Sequence, residues 1–293
     1  GADIFGKLHE ECGVFGIYMG KGADVLGITH HALYALQHRG QESCGIAVND
    51  DGVITGHADT GLVSEVFTED VLCKLPQGRM AVAHCRYGTT GCQSRENAQP
   101  LVIRHIKGGM ALAHNGNLTN AAELRESYEL DGALRTTSDS EVIAYAITRE
   151  RIAPAHRGGG LPRDGQPQGR YSLAVMSPRK LIAVRDPIGF RPLCIGEIDG
   201  GWVVASESCA LDAIGAKFLR DVEPGEIVTI SERGLESDRS HCGKATGECV
   251  FEFIYFARPD SVIDGSCVHT ARQRARFLAL EHPVQADVVI GVP

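Results

Sequence analysis

The chain has 293 residues, of which 43% are hydrophobic and 23% charged, and its formal charge is −8. This composition excludes a disordered chain, which would be poorer in apolar residues. It also excludes a nucleic-acid binder acting by bulk charge, because a phosphate backbone attracts net-positive surfaces.

In chain order, Gly1–Glu11 comes first and lacks the apolar core of a secretory signal. Short apolar or alternating runs then predict strands at Val14–Tyr18, Cys44–Val48, Val53–His57, Met80–Cys85, Leu101–Ile106, Met110–His114, Tyr171–Met176, Leu181–Val184 and Trp202–Ala205. Asn49-Asp50-Asp51-Gly52 and Lys107-Gly108-Gly109 predict hairpin turns between neighbouring runs. Val25, Ile28, Ala32 and Leu36 fall at helical spacing and predict a helix over Asp24–Gln37. Asn120 is expected to cap a helix ending near Tyr128, with Glu123 at its third position. Ser138 and Glu141 have capping-box spacing before Val142, Ile143 and Ala146. Arg157–Arg170 is rich in Gly and Pro and reads as a loop or crossover; Ser237–Glu248 is polar and reads as a connection. The last segment reads as a strand at Phe251–Ala257, a helix at His269–Glu281 and a strand at Ala286–Val292. Many strands with helices grouped between them give α+β layers. No apolar stretch approaches the roughly 18 residues that cross a membrane.

The ten cysteines lack a Cys-x-x-Cys pair, so a zinc ribbon is not supported. Without a secretion signal they are expected to be thiols in a reducing cytoplasm, most of them buried.

Five groups could carry chemistry, and each has a plain alternative. Cys12 heads an apolar strand; it is either a buried strand cysteine or a nucleophile. If the residues before it were removed, its α-amine, with a pKa of about 8, could take the thiol proton. His114-Asn115-Gly116-Asn117 is either a turn or an oxyanion site built from an Asn amide and a Gly N–H. Arg86 begins Arg86-Tyr87-Gly88-Thr89-Thr90-Gly91 and is either a surface residue or a clamp for a carboxylate. Asp139 lies in a helix cap and could receive an ammonium group. His38-Arg39-Gly40-Gln41 ends a helix and could send its charges into a site. Together the set fits a small amino-acid substrate.

These segments resemble the glutamine phosphoribosylpyrophosphate amidotransferases. The resemblance rests on Cys12-Gly13-Val14-Phe15-Gly16-Ile17, Leu36–Glu42, Arg86–Gly91, His114–Asn117 and Thr136–Glu141, in that order. It continues through Arg185–Leu193, Val203–Glu207 and Phe251–Ser261, and so covers essentially the whole chain. It implies the four-layer αββα sandwich of N-terminal-nucleophile hydrolases, followed by the first strands and helix of a truncated α/β phosphoribosyltransferase domain. The implied divisions are a self-cleaved propeptide at 1–11, a glutaminase domain at 12–245 and the start of the second domain at 246–293. Cys12 would be the nucleophile, and Asn115 and Gly116 the oxyanion hole. Arg86 would hold the glutamine carboxylate and Asp139 its ammonium. Thr89 and Arg39 would complete the substrate site.

The family transfers the ammonia to phosphoribosyl pyrophosphate, so this chain is expected to act at most as a glutaminase. The pyrophosphate-binding loop with its paired Asp residues is absent from the sequence, and Gly88 stands where many relatives have Ser or Pro. Full-length relatives imply Mg2+, in some cases a four-iron four-sulfur cluster, and a homo-oligomer. Cys249 is at the position of one cluster ligand; with one ligand of four, no cofactor is expected in this chain. No nucleic-acid or membrane partner is expected. Three other readings compete: a different glutaminase of the same superfamily, a cysteine-rich metal or cluster module, and a folded but unprocessed precursor.

Overall fold

In the computed structural model, residues 12–20, 22–87, 94–105, 108–128, 134–152, 167–243, 245–274 and 276–290 are described. The chain opens with strand β1 (Gly13–Tyr18) and helix α1 (Val25–Ala35), then β2 (Ser43–Asp50) and β3 (Val53–Thr60). Short helices α2 (Val63–Val66) and α3 (Glu69–Leu72) lead to β4 (Met80–Arg86), β5 (Leu101–His105) and β6 (Gly108–Leu118). Helices α4 (Ala121–Ser127) and α5 (Asp139–Ile152) precede β7 (Gly169–Met176), β8 (Leu181–Arg185), β9 (Cys194–Ile198) and β10 (Gly201–Ala205). Helix α6 (Ser208–Ala213) and strands β11 (Lys217–Asp221), β12 (Ile227–Ser231) and β13 (Gly234–Asp238) follow.

Two antiparallel sheets carry the fold. One has seven strands in the order β11-β9-β10-β1-β4-β2-β3, and the other has six in the order β13-β12-β8-β7-β6-β5. Strand alternation decides what lies on each face. On β1, Phe15 and Ile17 point to an outer core with Leu26, Leu33 and Leu36, while Val14 and Tyr18 point to the other sheet. Fully burying a leucine such as Leu33 contributes about 2 kcal/mol. The space between the sheets is filled by small residues, including Ala47, Ala111, Ala113, Ala174 and Ala183, with Val82 and Val204. Met110, Leu112, Leu173 and Val175 face outward onto Leu124 of α4 and Val142 and Ile143 of α5. The result is four layers: helices, sheet, sheet, helices. Because both sheets are covered on both faces, the central strands read as continuous apolar runs.

Nine of the eleven predicted strands form, as do both hairpins. Asp51 (φ 48°) and Gly52 (φ 92°) adopt the left-handed conformation that the β2–β3 turn needs. Asp24 caps α1, its Oδ1 accepting from the Gly27 N–H at 2.9 Å. Among the nine described cysteines there is no disulfide.

Several expectations are corrected. Asn120 is the N-cap residue of α4, as expected, but its side chain makes no capping bond; its Oδ1 accepts from the Gln168 N–H at 2.8 Å, which ties the helix start to β7. Glu141 reaches past Ser138 to the N–H groups of Arg135 and Thr136, so no Ser138–Glu141 capping box forms. Phe251–Ala257 is not a strand: Glu252–Phe256 is a turn of π-helix, because a short apolar run has no periodicity to separate the two states. His269–Glu281 is two short helices, α7 (Val268–Gln273) and α8 (Arg276–Glu281), after a small ladder of β14 (Val262–Ile263) and β15 (Ser266–Cys267). Residues 286–290 form no strand; Val288, Val289 and Ile290 are exposed, with no neighbouring strand to pair them. Strands β9, β11, β12 and β13 and helix α6 went unpredicted. The proposed propeptide and most of Arg157–Arg170 lie outside the described residues. Among the described residues no helix is long and apolar enough to cross a membrane.

Candidate active site

Strands β1 and β4 are antiparallel neighbours, with Gly13 opposite Cys85. Their register brings Cys12, just before β1, beside Arg86 and Tyr87 at the end of β4. Strand β6 of the other sheet and the N-terminus of α5 meet this same edge. Here Cys12, Arg86, Gly116 and Asp139 line one cavity of about 20 Å³, together with Gln99, His114 and Ser138. That volume holds about one water, so an amino acid requires the walls to part. A far larger cavity, about 680 Å³, opens around Tyr18, Arg79 and Lys180 and is lined by no cysteine.

Cys12 is buried, and its Sγ lies 4.0 Å from the Tyr87 carbonyl. Arg86 Nη1 donates to Glu42 Oε1 at 2.9 Å, which orients the guanidinium along the wall. Asp139 begins α5, where the helix dipole favours a negative charge. Its Oδ2 accepts from the Leu118 N–H at 2.8 Å, and its Oδ1 lies 3.7 Å from His114 Nδ1.

The His114–Asn117 run is no turn; it lies inside the eleven residues of β6, with Asn115 opposite Ser172 and Gly116 opposite Tyr171. Gly116 has φ 139°, and a Cβ there would stand 2.0 Å from the Arg170 carbonyl oxygen, so only glycine fits. By alternation Asn115 shares the inner face with Ala111 and Ala113. Cys12 continues the inner face of Val14. The Asn115 side chain is fully buried and is not among the residues lining the cavity; among the described residues neither its Nδ2 nor its Oδ1 has a hydrogen-bond partner. Such groups are rare in native interiors.

A histidine pair links this wall to the layer behind it: His114, which lines the cavity, and His84, which sequence reasoning missed. His114 Nδ1 lies 2.9 Å from Ser140 Oγ, and His84 Nε2 donates to the His114 carbonyl at 2.9 Å. Burial pushes the His114 imidazole below its ordinary value, opposed by Asp139, and takes His84 down to about 3. Gln99 braces the strand, accepting from the His114 N–H at 2.9 Å.

The structure does not place Arg39 in the cavity. It lies behind Cys12, fully buried, and its Nε donates to the Cys12 carbonyl at 3.0 Å. Its Nη1 and Nη2 donate to the two oxygens of Glu252 at 2.9 Å, and Nη1 also donates to Glu207. Neither glutamate was singled out from the sequence. The available signal was an acid inside an apolar stretch, Glu252 between Phe251 and Phe253. Thr89 lies outside the described residues. Cys249 is buried, and among the described residues it belongs to no cluster of three or more metal-binding side chains, so the residues present do not fit an iron–sulfur cluster.

Residues 84–213 match the glutamine amidotransferase domain. The amidophosphoribosyltransferase of Mycobacterium tuberculosis (strain H37Rv) is 47% identical, over 97% of this chain and 55% of its own length. The chain is similar to the amidophosphoribosyltransferase family along almost its whole length. A solved structure of the allosteric regulatory enzyme of purine biosynthesis superposes with a TM-score of 0.83 at 42% identity, covering 94% of this chain and 59% of that one. The glutamine phosphoribosylpyrophosphate amidotransferase from B. subtilis, solved with ADP and GMP, gives 0.81 at 41% identity over 94% and 60%. The four layers are therefore those of the family's N-terminal-nucleophile glutamine amidotransferase part. The chain spans little more than half the length of these amidophosphoribosyltransferases.

Proposed function

We propose that this chain hydrolyses the side-chain amide of glutamine with Cys12. As part of a full-length amidophosphoribosyltransferase it would pass the ammonia to phosphoribosyl pyrophosphate, making phosphoribosylamine at the first step of purine synthesis. The observation that carries this reading is that Cys12, Arg86, Gly116 and Asp139, drawn from four separate stretches of sequence, line a single cavity.

In this reading cleavage after Glu11 removes residues 1–11 in the cytoplasm and frees the Cys12 α-amine. The amine takes the thiol proton, and Sγ attacks the amide carbon of glutamine. Asn115 Nδ2 and the Gly116 N–H receive the oxyanion; the unpaired state of Nδ2 suits a donor waiting for one. The tetrahedral adduct collapses, the amine returns its proton to the leaving nitrogen, and ammonia departs. Water then splits the thioester, giving glutamate and restoring the thiol. The Arg86 fork holds the substrate carboxylate and Asp139 its ammonium. Residues 12–245 would be the glutaminase unit and 246–293 the start of the acceptor domain, which in the full-length oligomer would hold phosphoribosyl pyrophosphate with Mg2+.

The test is an intact-mass spectrum before and after incubation with an electrophilic glutamine analogue. The expected result is loss of residues 1–11 and one adduct on Cys12. A homogeneous full-length mass without adduct would falsify the proposal.

A further inference from the structure

The reaction as written uses the front of Cys12. Its back is held by a buried charge cluster with no part in that chemistry. Arg39 connects the Cys12 carbonyl to Glu252, which lies 213 positions away in the sequence. Glu252 also accepts from Arg191 Nη1 at 3.3 Å. Glu207, the other partner of Arg39, accepts from His38 Nε2 at 2.9 Å, the Arg258 N–H at 2.9 Å and Ser261 Oγ at 2.7 Å. Glu252, Arg258 and Ser261 all belong to the segment that follows the sandwich. That segment is pinned a second time, by a bidentate pair between Arg185 and Asp264 at 2.7 and 2.8 Å.

We propose that Glu252 is a positioning residue for glutamine hydrolysis: through Arg39 it fixes the carbonyl of Cys12, so that the aim of the thiol depends on how the 249–263 segment is docked. The inference rests on the reading of Cys12 as nucleophile. Cys12 stands one residue before the β1 ladder, which starts at Gly13, so strand pairing holds it from one side only. Fixing its carbonyl fixes the peptide plane and with it the position of the Cα from which the sulfur-bearing side chain extends. Arg39 can do this because its planar fork is itself held bidentately by Glu252. His38, Glu207 and Cys209 gather closely enough to suggest a metal site. The Arg39 cation bonded to the same carboxylate opposes a metal there, and the cluster acts as a brace. Movement of the segment would reach the nucleophile as a displacement of its carbonyl, and a misplacement of about 1 Å can cost about 100-fold in rate.

The test is the kinetics of Cys12 alkylation by the electrophilic glutamine analogue, which separates the saturating rate from the half-saturating concentration. Glu252→Gln keeps the shape and one acceptor but removes the charge. The expected result is a saturating rate about tenfold lower with half-saturation changed less than about twofold. Ser261→Ala is a milder change that keeps the fold and should lower the saturating rate about twofold to threefold. Glu226→Gln breaks a comparable pair, in which Arg220 donates at 2.7 Å to both oxygens of Glu226, away from Cys12. It should lower thermal stability and leave the saturating rate at the wild-type value. A wild-type chain that takes no adduct overturns the functional reading and this inference with it. A labelled wild type, with folded Glu252→Gln and Ser261→Ala chains that match its saturating rate, overturns this inference alone. So does a change confined to half-saturation.

Discussion

The two sides of Cys12 are built on opposite rules. In front, side-chain polar atoms stand without a partner among the described residues: the Nε2 of His114, which lines the cavity, and both ends of the Asn115 amide, buried next to the lining residue Gly116. Behind, the Arg39 guanidinium has partners at all three nitrogens, and Glu207 and Glu252 each collect several donors. Burial alone would lower the Arg39 pKa, but the two carboxylates override it and hold it well above the ordinary arginine value. Burial would raise Glu207, and Arg39 and His38 hold it well below the carboxylate range instead. The contrast separates recognition from support. A buried group left unpaired is available to a ligand at an energetic penalty, whereas a saturated cluster is a brace.

The largest expected effect tests the front. Cys12→Ala should abolish adduct formation and lower glutamine turnover by at least about 10⁴-fold, with thermal stability nearly unchanged. The back should show its largest loss in stability, with a smaller loss of turnover than the front. Arg39→Met removes the cation that Glu207 and Glu252 share and leaves only His38 and Arg191 beside these buried carboxylates, so denaturant melts should show a loss of about 3–5 kcal/mol. Asn115→Ala then sharpens the comparison from the front. Turnover should fall about 10²–10³-fold, while stability changes by less than about 1 kcal/mol because the side chain makes no hydrogen bond to lose. An Asn115→Ala chain as unstable as Arg39→Met would break the distinction. Gly116→Ala should cost about 1–3 kcal/mol, measured by the same melts, because alanine is strained at φ 139° and meets the Arg170 carbonyl.

The smallest effect is in pH. Burial lowers His84 to about 3 in the folded chain, against an ordinary value of 6.5. The unfolded chain therefore binds more protons between these values, and stability falls as pH drops from 6.5 toward 3. The contribution is fully present above pH 6.5. His84→Gln should flatten the slope of the denaturation midpoint between pH 7 and pH 5; an unchanged slope would place the titration elsewhere.

Much of the sandwich was legible because its signals are local. Gly52 can take a positive φ, and the run Val14–Tyr18 is apolar throughout because both of its faces are covered. The Asn115-Gly116 pair misled locally, since the dipeptide that favours a turn here sits within a paired strand. The missed strands are short, and β13 carries Glu236, Ser237 and Asp238, all exposed, so hydrophobic alternation could not mark it. The helical character of Glu252–Phe256 was hidden because five residues are too few to display a 3.6-residue period.

The sequence by itself determined nine of the strands, two hairpins, the layered class and the residue types for an attack on an amide, because propensity, turn geometry and chemical type reside in neighbouring residues. The tertiary structure alone decided which side of Cys12 each charge occupies. Arg39 looked like a substrate ligand and became a brace, because Glu207 and Glu252 reach it across 168 and 213 positions of chain. Such pairings depend on strand register and the docking of a distant segment, and neither is written in the residues flanking Arg39.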